Sequence, residues 1–459
     1  MPPDDRDAPR PHLTSGTGAA ATGGDLAPGT GAAEAALRAL RRLVAVERHE
    51  VAAALWSAAL FFTVLCSHYI IRPLRDAMGL AGGVKDLQWM FTATFLATLV
   101  AVPAFSWVVA RWPRQTFIPW VYRGFALMLL GFFAALQLGS AGAQVVVAQV
   151  FYVWAAVFSL FVVSVFWEYM ADLWRRDQGE RLFGFIAAGG TAGALVGPAL
   201  TGWLAPRIGP TYLVLVSAAA LELATLCVRR LGAAGLAAAG AGARGQDAGA
   251  AIGGGVFAGF SLALSSARLL GICGYVLLLA ITGTFFYFEL MTIVEAEFAD
   301  LAARTEVFAY LDLAVNVVAL IVQVAVFGRV MPRIGLGWAL AVLPLASLAA
   351  FVALGAAPVF AVIVGATIVR RAADFAVSKP ARELLFTLVG REAKYKAKSF
   401  IDTVVYRGGD VLSAWVFRGF QALGLGLSGL ALLAAPLAAL WLAGSLLLGR
   451  AAQRAERRG

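Results

Sequence analysis

Two stretches of this 459-residue chain place guanidinium and carboxyl groups at helical spacing inside apolar runs. VRRAADFAVSKPARELLF carries Arg370, Arg371 and Asp374, and DTVVYRGGDVLSAW carries Arg407 and Asp410. Arginine presents a rigid fork of N–H donors that matches carboxylate or phosphate oxygens. Arg407 and Asp410 are three residues apart and share a helix face, so they can pair with each other. Asp374 can neutralise only one of the two adjacent arginines, which leaves a buried cation that an incoming anion could satisfy. Two further stretches set charges at the ends of apolar runs: YIIRPLRDAMG, with Arg72, Arg75 and Asp76, and FFYFELMTIVEAEFAD, with Glu289, Glu295 and Glu297.

The elements that must position these groups follow from composition. With 61% hydrophobic and 14% charged residues, the chain has too little polar surface to cover a soluble core and reads as a polytopic membrane protein. Apolar stretches of about 20 residues, the length that crosses about 30 Å of hydrocarbon, recur near 52–75, 88–110, 117–138, 144–170, 182–204 and 212–228. A second set falls near 269–294, 307–328, 335–354, 357–380, 400–420 and 424–448. The expected fold class is all-α, with twelve transmembrane helices in two pseudo-symmetric six-helix halves. Counted from Pro358 at the α-helical rise, Arg370 and Arg371 lie roughly 18 to 20 Å deep, near the bilayer midplane. A charge facing lipid there is very costly, so these residues are expected to face the bundle interior.

The expected organisation is a tail with a surface amphipathic helix over 1–50, halves at 51–228 and 268–449, a Gly/Ala-rich linker at 229–267 and a basic tail at 450–459. Lysine and arginine fall mostly on one set of alternating loops, and that set includes both chain ends. The bias predicts cytoplasmic termini in a bacterial inner membrane. Gly-x4-Arg-x-Gly occurs at Gly202, Arg207 and Gly209 and again at Gly328, Arg333 and Gly335, at equivalent points of three-helix units. Gly189, Gly193 and Gly197 recur every fourth residue before Pro198, a pattern expected for close helix packing and compatible with a rocking interface between halves.

Several classes of function are disfavoured. Cys66, Cys227 and Cys273 lack paired spacing, and His12, His49 and His68 are the only histidines, so no metal or cofactor is expected. No Gly-x4-Gly-Lys-Ser/Thr phosphate loop occurs. The net charge of +10 is dispersed between apolar spans rather than gathered on one face, which argues against nucleic acid. The expected partners are the lipid bilayer and a small anionic solute.

Charges at the two mouths have opposite signs on the two halves. At one mouth Arg72, Arg75 and Asp76 meet Glu295; at the other, Glu168 and Asp172 face Arg382, Lys398 and their neighbours. Two gates that close alternately over a central site would use such an arrangement. The expected substrate contacts are Arg75, Glu295, Arg370, Arg371, Lys398, Arg407 and Asp410, and the expected gating residues are Arg72, Asp76, Glu168, Asp172, Arg382, Glu383 and Asp402. Arg75 and Glu295 are expected to approach each other when their mouth closes.

At these residues the sequence resembles the nucleotide transporter family, the ATP/ADP exchangers of plastids and intracellular bacteria, itself a distant branch of the major facilitator superfamily. The family's basic-Asp motif after the first helix is similar to Arg75-Asp76, its Val-Glu to Val294-Glu295, and its Lys-Glu to Arg382-Glu383. Its lysine-rich motif of the eleventh helix is similar to Lys394, Lys396, Lys398, Ile401, Asp402 and Val404, and Phe166-Trp167 followed by Arg181 is also alike. Ser159 and Ala299 stand where the family has an acidic residue and a lysine. The resemblance implies a secondary transporter of a nucleotide-like or phosphate-bearing anion. A proton-coupled transporter of another solute and a non-transporting scaffold or receptor on the same fold are the alternatives.

Overall fold

The computed structural model describes residues 46–47, 49–109, 111, 114–238, 266–387, 397–398 and 400–456. The chain divides into a segment Met1–Glu47 and a compact unit Arg48–Gly459, and the membrane helices all belong to the latter. They are, in the first half, α1 (Val51–Met78), α2 (Leu87–Val109), α3 (Arg114–Leu138), α4 (Ala141–Leu173), α5 (Arg176–Ile208) and α6 (Leu213–Ala238). The second half comprises α7 (Ala267–Glu297), α8 (Leu301–Val322), α9 (Gly328–Ala356), α10 (Phe360–Ala373), α11 (Tyr406–Ala422) and α12 (Leu427–Glu456). Ten of the twelve are long and apolar enough to cross a membrane by composition alone. The other two, α10 and α11, carry the charged stretches. They are extended toward the chain-end face by π turns at Asp374–Ser378 and Ile401–Val405, and α10 runs on through Lys379–Thr387.

Twelve crossings bring both ends of the bundle to one face, here the terminal face. The opposite face carries the Gly79–Asp86 connection between α1 and α2 and is called the turn face. Helix α5 packs along α1, and the reason is the glycine stripe. A Cβ on Gly189, Gly193 or Gly197 would run into the backbone carbonyl of Ala58, Phe62 or Cys66. The stripe therefore joins helices within the first half and is not the surface on which the halves rock, which corrects the second use expected of it. The two halves meet instead through α5 with α8, α1 with α8, and α2 with α11.

The repeated glycine motif has a backbone cause. Gly209, between α5 and α6, and Gly335, beyond α8, both have left-handed φ, at 88° and 76°, and Gly424, between α11 and α12, has the same hand at 91°. These are the turns between the second and third helices of three successive three-helix units, and only glycine enters that region without a Cβ penalty.

Element ends depart from expectation for local reasons. Helix α8 begins at Leu301 rather than 307 because the Asp300 carboxylate accepts from the backbone N–H groups of Ala302 and Ala303, at 3.0 and 3.1 Å. Helix α6 continues through Ala238, ten residues into the expected 229–267 linker, since its Ala-rich sequence favours helix. The rest of that linker to 265, the expected surface helix up to residue 45, and Lys394 and Lys396 lie outside the described residues.

Candidate functional site

The charged groups inside the membrane assemble around a residue that no sequence pattern singled out. Asp312 sits eleven residues into α8, about 16 Å from its start and so near the bilayer midplane. Its side chain is almost wholly buried, and Arg371 of α10 donates to its Oδ1 at 2.7 Å. Its Oδ2 lies 3.6 Å from Nε of Arg72 on α1. One carboxylate thus ties two arginines from opposite halves. One of the two adjacent arginines was expected to lack a counter-ion; Arg371 receives one from α8, which packs against both α10 and α1. The signal that could have found Asp312 was the one applied to Arg370, a lone charge at midplane depth in an apolar run.

Arg370 is treated differently. It donates from Nε to the Ser347 hydroxyl on α9 at 3.1 Å, and its guanidinium lies 5.5 Å from the centre of the Phe286 ring. Gly283 on α7 leaves room for it: a Cβ there would stand 3.2 Å from the guanidinium. Among the described residues no carboxylate is within ion-pair distance of Arg370. Arg407 lies 3.8 Å from Asp410, the expected i, i+3 pair, and Asp410 also accepts from the Thr284 hydroxyl at 2.9 Å. That carboxylate is therefore shared between α11 and α7.

Nearer the turn face, Arg75 donates to Asp76 at 2.5 Å and stacks 5.0 Å over the Tyr152 ring. Tyr287 of α7 donates its hydroxyl to the same Asp76 oxygen at 3.0 Å and lies 3.2 Å from the Tyr152 hydroxyl. Arg75 and Glu295 are not partners, contrary to expectation, because Asp76 is the neighbouring residue and takes the guanidinium first. Glu295 instead accepts from the backbone N–H of Val84 at 3.3 Å, and Arg304 donates to the backbone carbonyls of Phe298 at 2.7 Å and Leu80 at 3.4 Å. Carboxylate and guanidinium from the second half thus hold the backbone of the α1–α2 connection. Gly83 permits the approach: its φ is 87°, and a Cβ there would meet the Glu295 carboxylate at 3.0 Å.

Aromatic contacts extend the closure across the same face. Trp415 of α11 donates to the Thr92 hydroxyl on α2 at 3.1 Å and meets Trp89 edge-on at 4.7 Å, while Phe91 packs on Phe288 at 5.4 Å. A further polar link between the halves is Asn316, one helical turn beyond Asp312 along α8, which donates to the Ala194 carbonyl at 2.7 Å. The contacts of Glu295, Arg304, Tyr287 and the aromatic residues lie on the turn-face side of Asp312.

The remaining expected residues fall elsewhere. Lys398, expected at the substrate, bonds Glu383 at 2.5 Å near the terminal-face end of α10 and α11. It is nine residues, about 13 Å of helix, from Arg407, so it joins the peripheral group with Arg382 and the exposed Asp402, within whose electrostatic reach it lies. Glu168 and the exposed Asp172 end α4 on the same face. Arg181 of α5 donates to Glu50 at 3.0 Å and secures the start of α1. A groove of about 670 Å³ between α2 and α4, lined by Trp89, Gln149 and Trp154 among others, includes none of the expected site residues.

Several buried polar atoms in the central group have no hydrogen-bond partner: Nδ1 of His68, Oδ2 of Asp312, Nη2 of Arg371 and Oδ1 of Asp374. His68 is one helical turn from Arg72, and Asp374 one turn from Arg371.

No protein-family model matches the chain, and no curated protein matches it by sequence. Solved structures do. The nucleoside transporter NupG is similar with a TM-score of 0.58 at 12% identity, over 88% of this chain and 98% of that one. A POT family transporter in complex with a thioalcohol-conjugated peptide gives 0.61 at 10%, over 87% and 96%. A bacterial homologue of the iron transporter ferroportin, in an inward-facing state, gives 0.61 at 12%, over 88% and 100%. At these identities the likeness concerns the fold: the chain has the twelve-helix, two-half architecture of major facilitator transporters.

Proposed function

We propose that the protein is a secondary active transporter that carries a small organic anion, nucleotide-like or phosphate-bearing, by alternating access between its two halves. The observation that carries this reading is the Asp312 carboxylate held between Arg371 of the second half and Arg72 of the first, at the midplane. A carboxylate tethered there occupies the position an anionic substrate would take. Phosphate oxygens presented to Arg72 and Arg371 could compete with Asp312 for them, and Arg370, without a carboxylate of its own, supplies a further fork. Because one arginine belongs to each half, an anion bound between them favours their approach. That is the differential contact an alternating mechanism needs.

In this reading the contacts of Glu295, Arg304, Trp415 and Tyr287 are the closed gate of the turn face, which is the outer face, with both termini in the cytoplasm of a bacterial inner membrane. Residues 51–228 and 268–449 form the moving halves. Equilibrium binding of labelled nucleoside mono-, di- and triphosphates to the purified protein tests the substrate class. Saturable binding that is lost in Arg370→Ala and Arg371→Ala supports it. Absence of binding by every phosphate-bearing compound, or affinity unchanged in both variants, would refute it.

A further inference from the structure

One buried charge-bearing group plays no part in the site described above. Glu289, on α7, is 1% exposed, and neither of its carboxyl oxygens has a hydrogen-bond partner. It lies on the face of α7 turned into its own half, one helical turn from Phe285, which packs edge-on against Phe417 of α11 at 5.3 Å, and one turn from the buried Ile293.

The ionisable groups on the elements packed against α7 do not reach it. On α11, Arg418 donates to Gln421 and Asp410 is shared by Arg407 and Thr284. On α10, Arg370 and Arg371 lie beyond ten residues free of ionisable groups, and the turn-face halves of α9 and α12 have no ionisable residue. In the Val84–Asp86 turn, Asp86 accepts from Gln149, and Lys85 makes no hydrogen bond to Glu289. On α8, Arg304 is held by backbone carbonyls. Along α7 itself, Glu295 bonds Val84 and Tyr287 bonds Asp76.

An ionised carboxylate left in such a place without a partner costs several kcal/mol, whereas the protonated acid is merely an unsatisfied polar group. Two residues along, on the other side of the same helix, Tyr287 reaches across to Asp76. Phe288 packs on Phe91 of α2, and six residues along Glu295 holds Val84. The helix that buries Glu289 is therefore the helix that closes the turn face.

We propose that Glu289 is a proton-binding site that makes closure of the turn face pH-dependent. The carboxyl group carries its proton in the closed conformation. When α7 shifts to open the turn face, its packing against α11 loosens, water reaches the group, and the proton leaves to that water. Reclosure takes one back. No other bond changes. The proton thus binds more tightly to the closed state, and acid on the turn-face side favours closure. Above about pH 4.3, where a hydrated glutamate is ionised, one linked proton lowers the ratio of closed to open protein by up to about tenfold per pH unit.

The inference rests on the alternating-access reading, and its test separates the two. Spin labels at Ser140 and Leu423, exposed positions on turn-face loops of opposite halves, report the opening by distance measurement in lipid nanodiscs between about pH 5 and about pH 8. The expected result is two distance populations, with the shorter growing as pH falls, and only the shorter at every pH in Glu289→Gln and Glu289→Met. Variants that keep the wild-type pH response, or two wild-type populations insensitive to pH, would overturn the proton site and leave alternating access standing. A single wild-type population at every pH would overturn alternating access and the proton site with it.

Discussion

Replacing Asp312 by asparagine should do more damage than any other single charge removal in the molecule. At an effective dielectric of about 20, the contacts of its carboxylate with Arg371 at 2.7 Å and Arg72 at 3.6 Å correspond to roughly 6 and 5 kcal/mol of attraction, most of it offset by desolvation of the three groups. The amide would keep the shape of the side chain and lose its charge. Two guanidinium groups, each less than a quarter exposed, would remain without a counter-ion, and the expected loss is about 3 to 5 kcal/mol. Thermal unfolding monitored in detergent should show a large drop for Asp312→Asn and a partial return in Asp312→Asn with Arg371→Gln, which removes one surplus cation. If the arginines also seat the substrate, a saturating anionic ligand should stabilise the single variant more than the wild type, because the ligand no longer competes with Asp312. An unfolding temperature equal to wild type would refute the claim that Asp312 is the counter-ion of both arginines. Equal ligand stabilisation in the two proteins would refute the competition.

The other expectations concern closure, binding and packing. Glu295→Gln weakens a charge-assisted bond to the Val84 N–H worth about 1.5 to 3 kcal/mol, so the open turn face should gain by at least about tenfold in the Ser140–Leu423 distance measurement while the unfolding temperature changes little; an unchanged distribution would exclude the latch. Arg370→Lys keeps the charge and loses the fork, so binding of a phosphate-bearing ligand should fall by about tenfold or more; full affinity would mean that the guanidinium serves only Ser347 and the packing on Phe286. Gly193→Val, whose Cβ would strike the Phe62 carbonyl, should force α5 from α1 and abolish folded expression, whereas substitution at Gly184, with open space around it, should be tolerated.

Much of the architecture could be read from the sequence because a bilayer imposes length and apolarity on every crossing helix. The charged interruptions of the tenth and eleventh spans gave the depth of Arg370, Arg371, Arg407 and Asp410 for the same reason. What the sequence could not give was partnership between distant elements. Arg371 and Asp374 share a helix, so the local pair was the visible one, yet the counter-ion of Arg371 comes from α8. Arg75 and Glu295 matched in sign and end of helix, but Asp76 was nearer to Arg75, and Glu295 found a backbone N–H, an acceptor-to-amide contact that no charge pattern encodes. Lys398 belonged to a motif that resembled a family's, and its place beside Glu383 depends on how α10 ends and α11 begins at the terminal face. Tyr152 and Tyr287 lacked any sequence signal beyond being aromatic, and their hydroxyls matter only because the two halves bring them to Asp76.

Uptake of radiolabelled nucleotides into proteoliposomes tests whether an anion is carried between Arg72, Arg371 and Arg370. The expected result is time-dependent, saturable accumulation that is competed by unlabelled phosphate-bearing compounds, is lost in Arg371→Ala, and is reduced in Arg370→Lys. Liposomes that accumulate no phosphate-bearing solute above the protein-free level, or uptake that persists undiminished in Arg371→Ala, would contradict it.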